Sequence, residues 1–458
     1  MNWLCNTDEY ADRLAIWAED GQQITFQELR RVSEKSADTV SKEDLVLLEC
    51  DNSVSSLVSY VGLMGKGIPA ILVDKNLAEA LKATLVKHYQ VSAVIAGGKT
   101  TRLATSGPQM HPDLAILLST SGSTGSPKLV RLANRNLLAN ARQISCYLGI
   151  TQNSRAITVL PQQYSFGLSV IHSHLLNGAS LVLTNQGVTE RGFWELFRNS
   201  QTNSFSGVPA TFELLRKLRF ERMDLPNLKT VTQAGGRLAK ESVEYFAKLG
   251  NSKGFDFYVM YGQTEATARM AYLPPSENLT RADSIGKAIP EGSFELVDAD
   301  GNTIQGERTP GELVYRGPNV MMGYATNVED LQRGDNQNGL LKTGDIAERD
   351  VDGFYYICGR IKRFIKLFGN RVNLDEVEKH LQNVGFHAHV AGRDDLVIIF
   401  AESPDIAKRS AEEFCKTFRF HHSAVATHVL DSFPRNESGK LQYSKLMQIF
   451  DNRLQEQK

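Results

Sequence analysis

Leu114-Ala115-Ile116-Leu117-Leu118 runs directly into Ser119-Thr120-Ser121-Gly122-Ser123-Thr124-Gly125-Ser126-Pro127-Lys128. Five consecutive apolar residues bounded by a turn-rich tract read as a buried strand. The tract itself strings hydroxyls and glycines into one loop that ends in a lysine. Hydroxyl donors, glycine backbone that lets N–H groups come close, and a terminal cation make a cradle for a polyphosphate. The spacing is Gly122-x-x-Gly125-x-x-Lys128, with Pro127 before the lysine and Leu129 after it. A Walker A loop carries Ser or Thr at that last place to bind magnesium, so this is a different phosphate loop.

Outward from it, strand-like and helix-like patches alternate. Leu45 to Cys50, Ala70 to Val73, Ala156 to Leu160, Leu181 to Thr184 and Thr230 to Gln233 read as strands. Ser53 to Gly65, Glu79 to Tyr89, Asn134 to Leu148, Thr189 to Ser200 and Pro209 to Phe220 read as helices. Alternation of this kind predicts α/β layers with largely parallel sheets. From Ser293 the pattern changes to short strands (Phe294 to Val297, Gly311 to Tyr315, Phe354 to Cys358), a small β-rich subdomain. After Gly359-Arg360 the chain turns basic and then forms an α+β unit of about a hundred residues, ordinary for a small domain. There Asn373 reads as a helix N-cap with Glu376 completing a capping box, Asp394 to Phe400 as a hairpin edge, and Ala407 to Phe418 as a helix. The fold class expected is α/β: a large N-terminal domain (residues 1–360) of layered sheets and helices, and a small mobile C-terminal domain (361–458).

The 458 residues exceed one compact core, which is consistent with that division. With 51 basic and 52 acidic residues there is no surplus charge for a nucleic-acid surface, and no nucleic-acid partner is expected. Five scattered cysteines, with no CxxC pair, suit a reducing cytosol and build no disulfide framework or zinc site. Met1 to Asp8 shows no secretory signal, and no apolar run reaches the ~18 residues of a membrane span. A cytoplasmic enzyme is the expectation.

Further segments supply what ATP chemistry needs. Tyr261-Gly262-Gln263-Thr264-Glu265 offers an aromatic face, a glycine for close approach, a hydroxyl, and a carboxylate for magnesium. Thr343-Gly344-Asp345 sets a carboxylate at a strand end, suited to adjacent ribose hydroxyls. Arg360 and Lys440 add cations, the second on the small domain. Taken singly, Glu265 also reads as a helix-start carboxylate, Asp345 as a turn residue and Lys440 as a solvated loop lysine. Taken in this order, the segments resemble the adenylate-forming superfamily, which includes acyl-CoA synthetases, peptide-synthetase adenylation domains and firefly luciferase. The resemblance runs from about residue 20 to 446, and Tyr261 to Pro275 (YGQTEATARMAYLPP) is most similar to AMP-forming acyl-CoA ligases.

That resemblance implies a role for each matching position. The loop of Thr120, Ser121, Gly122, Ser123, Thr124, Gly125 and Lys128 would cradle phosphates. Gly235, Gly236 and Arg237 would border adenine, Tyr261 would pack against it, and Gly262 and Gln263 would belong to the same cofactor-binding segment. Thr264 would contact the α-phosphate, Glu265 would hold magnesium, and Asp345 would bind the ribose with Tyr356 and Arg360 nearby. Lys362 falls at the family's hinge, Gly369-Asn370-Arg371 at the loop for the second half-reaction, and Lys440 at the adenylation lysine. Tyr356 also reads as a core strand aromatic, and Arg360 to Lys366 as a solvated strand face. The implied cofactors are ATP, Mg2+ and CoA, or the phosphopantetheine of an acyl carrier protein. The implied reaction adenylates a small carboxylic acid and passes the acyl group to the thiol. A catalytically silent nucleotide-binding protein is the distant alternative.

Two departures bear on specificity. Tyr164 in Pro161-Gln162-Gln163-Tyr164-Ser165-Phe166-Gly167 stands where many acyl-CoA ligases carry histidine. No acidic residue occurs between Ala156 and Gly187 to hold an α-amino group, and a lone buried ammonium is costly. The expected acyl pocket (Tyr164, Phe166, Ser206, Gly207, Val208, Ala234, Met260) therefore suits an aliphatic, hydroxylated or aromatic acid.

Overall fold

The structure is a computed structural model that describes residues 2–5, 7–119, 128–368, 370–435 and 441–456. Its contacts divide the chain into two compact units, Met1–Phe294 with Tyr315–Leu341, and Glu295–Val314 with Lys342–Lys458. The boundary expected at residues 360–363 falls inside the second of these, because the β-rich stretches before it group with the C-terminal residues.

The first unit is built on two sheets of mostly parallel strands. In the larger, Leu14–Ala18, Ser180–Leu183, Arg155–Ile157, Ser204–Gly207, Thr230–Gln233 and Asp256–Tyr261 run parallel in that order. Antiparallel strands close both edges. In the other, Ala93–Ala96, Val46–Cys50, Ala70–Asp74 and Leu114–Ser119 are parallel neighbours, and Leu129–Ala133 returns antiparallel beside the last. The continuous apolar runs follow from this topology, since parallel strands are covered on both faces. Leu114–Leu118 is buried throughout, as its composition requires.

Helix ends follow local chemistry. Ser53 caps Val54–Lys66 by accepting from the Ser56 amide, and Thr25 with Glu28 completes a capping box on Phe26–Ser36. The helix expected over Pro209 to Phe220 stops at Lys217, because Arg219 takes a left-handed conformation (φ 55°) before a short 3-10 turn. The strand expected over Ala156 to Leu160 ends at Ile157, ahead of Pro161.

The second unit contains Leu340–Arg349 paired with Tyr355–Arg360, and a separate sheet of Ala388–Arg393, Leu396–Ala401 and Val425–Val429. Leu396–Ala401 is the central strand of that sheet rather than an edge, and helix Pro404–Phe418 follows it. Asn373 caps Leu374–Asn383, but its side chain accepts from the Asp375 amide and no capping box with Glu376 forms. Arg363, buried at 8% exposure, ties this unit together. It reaches Asp375 (2.6 Å), Glu378 (3.2 Å) and the Val390 carbonyl, and lies 3.7 Å over the Tyr443 ring.

Candidate active site

Two neighbouring parallel strands end together, Gly207 opposite Gln233, and the third, with Val259 opposite Gln233, runs two residues further to Tyr261. The segments that leave them therefore emerge at one edge, and carboxyl ends of parallel strands are where open α/β sheets bind ligands. Val208 and Ala234 are buried there with Phe166 and Met260, and Tyr164 packs against the same cluster. Gly235 follows with φ 85°, and a Cβ on it would come within 2.5 Å of the Tyr164 hydroxyl. Both conformation and space demand glycine. Gly236 is held by Gln233, whose Nε2 donates to its carbonyl at 2.8 Å, and Arg237 beyond it is exposed. Burial pushes the Tyr164 hydroxyl up to about 12, so it stays a neutral phenol where a histidine would titrate.

The next segment folds back on itself. Gly262 passes so close to the chain that a Cβ would sit 1.8 Å from the Ala268 carbonyl oxygen. Thr264–Ala266 forms a 3-10 turn, and Thr267 then adopts φ 67°, ψ −51° while the Ala268 amide donates to the Ala266 carbonyl at 2.7 Å. This is a γ-turn with a β-branched residue at its centre, costing on the order of 1–3 kcal/mol. Asn319 over-determines it. Its amide donates to the carbonyls of Ala266 (2.9 Å) and Arg269 (3.0 Å), Thr267 Oγ1 donates to its carbonyl (2.7 Å), and Tyr315 holds its Oδ1 (2.8 Å).

The turn fixes two expected site residues. Thr264 Oγ1 lies 3.2 Å from Ser165 Oγ, which links it to the helix that starts at the Tyr164 segment. Glu265 Oε1 accepts from the Tyr324 hydroxyl at 2.8 Å, and Lys128 Nζ stands 3.4 Å above the centroid of the Tyr324 ring. One phenol thus joins the lysine that ends the phosphate-type loop to the carboxylate of the Tyr261 segment. Strand pairing places it: Tyr324 sits opposite Val130 on the strand that follows Lys128. Burial and the neighbouring Glu265 hold its hydroxyl well above the usual tyrosine range. The other Glu265 oxygen accepts no hydrogen bond among the described residues, and the residue is half-buried. A partly shielded carboxylate with an open oxygen fits a hard divalent cation.

Tyr324 and Asn319 carry no motif that names them in the sequence. Their parts arise from pairings across fifty residues or more. Tyr261 itself is half-buried, with its ring 6.5 Å from that of Phe294, and Gln263 Nε2 donates to its hydroxyl at 3.4 Å.

The second unit holds the remaining described candidates. Asp345 is opposite Arg360 in the antiparallel pair, and Arg360 Nε donates to its buried carboxylate at 3.0 Å. Gly344 before it takes φ 71°, and Thr343 Oγ1 accepts from the Asp345 amide at 3.1 Å. Tyr356 donates to Asp350 at 3.0 Å while the Arg308 guanidinium lies 4.0 Å over its ring. Lys362 is in the 3-10 turn Ile361–Arg363, and Asn370 and Arg371 are on a short strand. Thr120, Ser121, Gly122, Ser123, Thr124, Gly125, Gly369 and Lys440 lie outside the described residues.

The sequence profile of the AMP-binding enzymes matches residues 99–325, which takes in Lys128, the Gly235 segment, the strained turn and Tyr324. Residues 99–325 are an AMP-binding domain of the adenylate-forming superfamily. Within that superfamily the chain is 26% identical to the 2-succinylbenzoate–CoA ligase of Bacillus licheniformis over 97% of its own length and 99% of the relative's. It is 27% identical to the luciferin 4-monooxygenase of Luciola mingrelica over 73% of its length, but spans only 63% of that relative. In structure it matches the O-succinylbenzoate coenzyme A synthetase of Bacillus subtilis in complex with AMP, with a TM-score of 0.80, 25% identity, and coverage of 97% and 98% of the two chains.

Proposed function

We propose that the chain is an AMP-forming acid–thiol ligase, which adenylates a carboxylic acid with ATP and transfers the acyl group to CoA. The observation that carries the reading is the Lys128–Tyr324–Glu265 linkage, which unites a phosphate-type loop and a cation-competent carboxylate in one unit. Two relatives named as 2-succinylbenzoate–CoA ligases, each covered almost end to end, support CoA as the acceptor.

Adenylation brings two anions together, the attacking carboxylate and the α-phosphate, so it needs positive charge where charge builds up. Magnesium on Glu265 would supply part of that charge. The chain's own residues position the partners: Thr264 presents a hydroxyl from a fixed turn, and Gly235 and Gly236 let the backbone approach a ligand closely. Tyr164 closes the pocket as a neutral aromatic. Asp345, held by Arg360, would receive the ribose hydroxyls. Lys440 is assigned to adenylation alone, with Lys362 as the hinge that exchanges it for Gly369 to Arg371 in thioester formation.

The test is pyrophosphate release with ATP and magnesium across aliphatic, hydroxylated, aromatic and amino acids, with and without CoA. Release that one acid class stimulates and CoA accelerates is expected. Release indifferent to CoA but stimulated by acyl carrier protein would move the acceptor to the carrier's phosphopantetheine, and silence with every acid would sink the ligase reading. Lys440→Ala should lower adenylation by about 10²–10³-fold, the scale of removing one electrostatic donor from a transition state. It should largely spare thioester formation from a supplied acyl-adenylate; equal loss of both steps would refute the separate assignment of Lys440.

A further inference from the structure

The first unit buries two arginines almost completely, Arg131 at 0% exposure and Arg269 at 1%. Arg131 is saturated: its guanidinium donates to the carbonyls of Tyr324, Met322, Gly334 and Arg333. Four backbone acceptors disperse its charge and explain its burial.

Arg269 has nothing comparable. Its Nη1 reaches the Tyr147 hydroxyl at 3.3 Å and the Met260 sulfur at 3.2 Å, a weak acceptor, and its Nε is buried with no partner. No carboxylate lies within ion-pair reach of it among the described residues. A buried cation without an anion is expensive, and native proteins keep one where something else completes it.

Other orphaned polar atoms gather around it. Asn140 donates to the Arg269 carbonyl at 3.0 Å and faces Gln143 at 3.3 Å, yet Asn140 Oδ1 and Gln143 Nε2 are buried without partners. His174, close enough to feel the Arg269 charge, engages the Val170 carbonyl through Nδ1 at 2.9 Å and leaves Nε2 buried and unmatched. Unsatisfied buried atoms are rare enough that four in one neighbourhood call for a ligand. The neighbourhood borders the expected acyl pocket, because the Arg269 guanidinium lies 4.7 Å over the ring of Phe166 and touches Met260.

We infer that Arg269 is the counter-cation for a second anionic group on the acyl substrate, so that the preferred acid is a dicarboxylate. The inference rests on the ligase reading and names its substrate class. One carboxylate is adenylated near Thr264 and Glu265. The other accepts charge-assisted hydrogen bonds from Arg269, with the Gln143 amide as a further donor.

Pyrophosphate release by the full-length chain decides it. Succinate, glutarate, adipate and phthalate are each compared with butyrate, valerate, hexanoate and benzoate in turn, and monomethyl adipate with adipate. At least one diacid should exceed its monocarboxylate in kcat/KM by about tenfold or more, the worth of a hydrogen bond to a charged group. Arg269→Met should cut that ratio by about tenfold to a hundredfold, and Arg269→Lys should fall between. Ratios taken within one variant do not depend on the fraction folded, and the wild-type ratio stands if neither variant folds. Monocarboxylates turned over as well as diacids, or a ratio untouched by Arg269→Met, would overturn the inference and leave the ligase intact. Silence with every acid overturns both.

Discussion

Arg269 and Arg363 are buried guanidinium groups, one in each unit, and they live in opposite electrostatic circumstances. Arg363 is enclosed by two carboxylates, Asp375 and Glu378, and Glu378 in turn accepts from His389 and Tyr443, each at 2.8 Å. Arg269 meets a phenol, a thioether and an aromatic face. The first arrangement is complete without a ligand and reads as structure. The second is incomplete and reads as recognition. Burial alone does not separate the two; the inventory of acceptors does.

The largest effect should come from breaking the complete site. Arg363→Met leaves Glu378 buried beside one positive partner fewer, and should cost about 3–5 kcal/mol of stability. Chemical denaturation measures the loss, and hydrogen exchange across Ala388–Ala401 should locate it in the second unit. A loss below about 1 kcal/mol would mean that the network is decorative.

Acid should separate the units next. Burial lowers His172 to about 3 and His174 to about 4, whereas both titrate near 6.5 in an unfolded chain. A depressed histidine binds protons more readily unfolded, so the stability is present above about pH 6.5 and is lost as pH falls toward 4. By pH 5 the first unit should be weaker by on the order of 2 kcal/mol per histidine. Glu378 behaves differently: burial pushes its carboxyl up, but His389, Arg363 and the Val390 amide outweigh that and hold it low. Its contribution is lost only as pH falls below about 4.3. Thermal melts at pH 7 and pH 5, with His172→Phe and His174→Gln as controls, test the order; unchanged stability at pH 5 would contradict it.

The smallest effect is expected at the incomplete site. Arg269→Met strands no counter-charge, so stability should stay within about 1 kcal/mol of wild type or rise. A loss as large as that of Arg363→Met would erase the contrast between the two arginines.

The α/β class was legible because parallel strands must be apolar on both faces, and Leu114–Leu118 leaves little choice. Glycines and loop chemistry marked the Gly235 and Tyr261 segments. What stayed hidden depends on pairing at a distance. Tyr324 is silent until its strand registers against Leu129–Ala133, Asn319 until it closes on Ala266, and Arg269 until its neighbours are counted. A motif records which residues a ligand touches, but not which residues keep those in place.

The γ-turn at Thr267 has a consequence in time. Its strain is imposed when the chain folds and is maintained by Asn319, so it is met once in the life of a molecule rather than once per catalytic cycle. Glu265 therefore stands on a backbone already set by folding, with one carboxylate oxygen held by the Tyr324 hydroxyl.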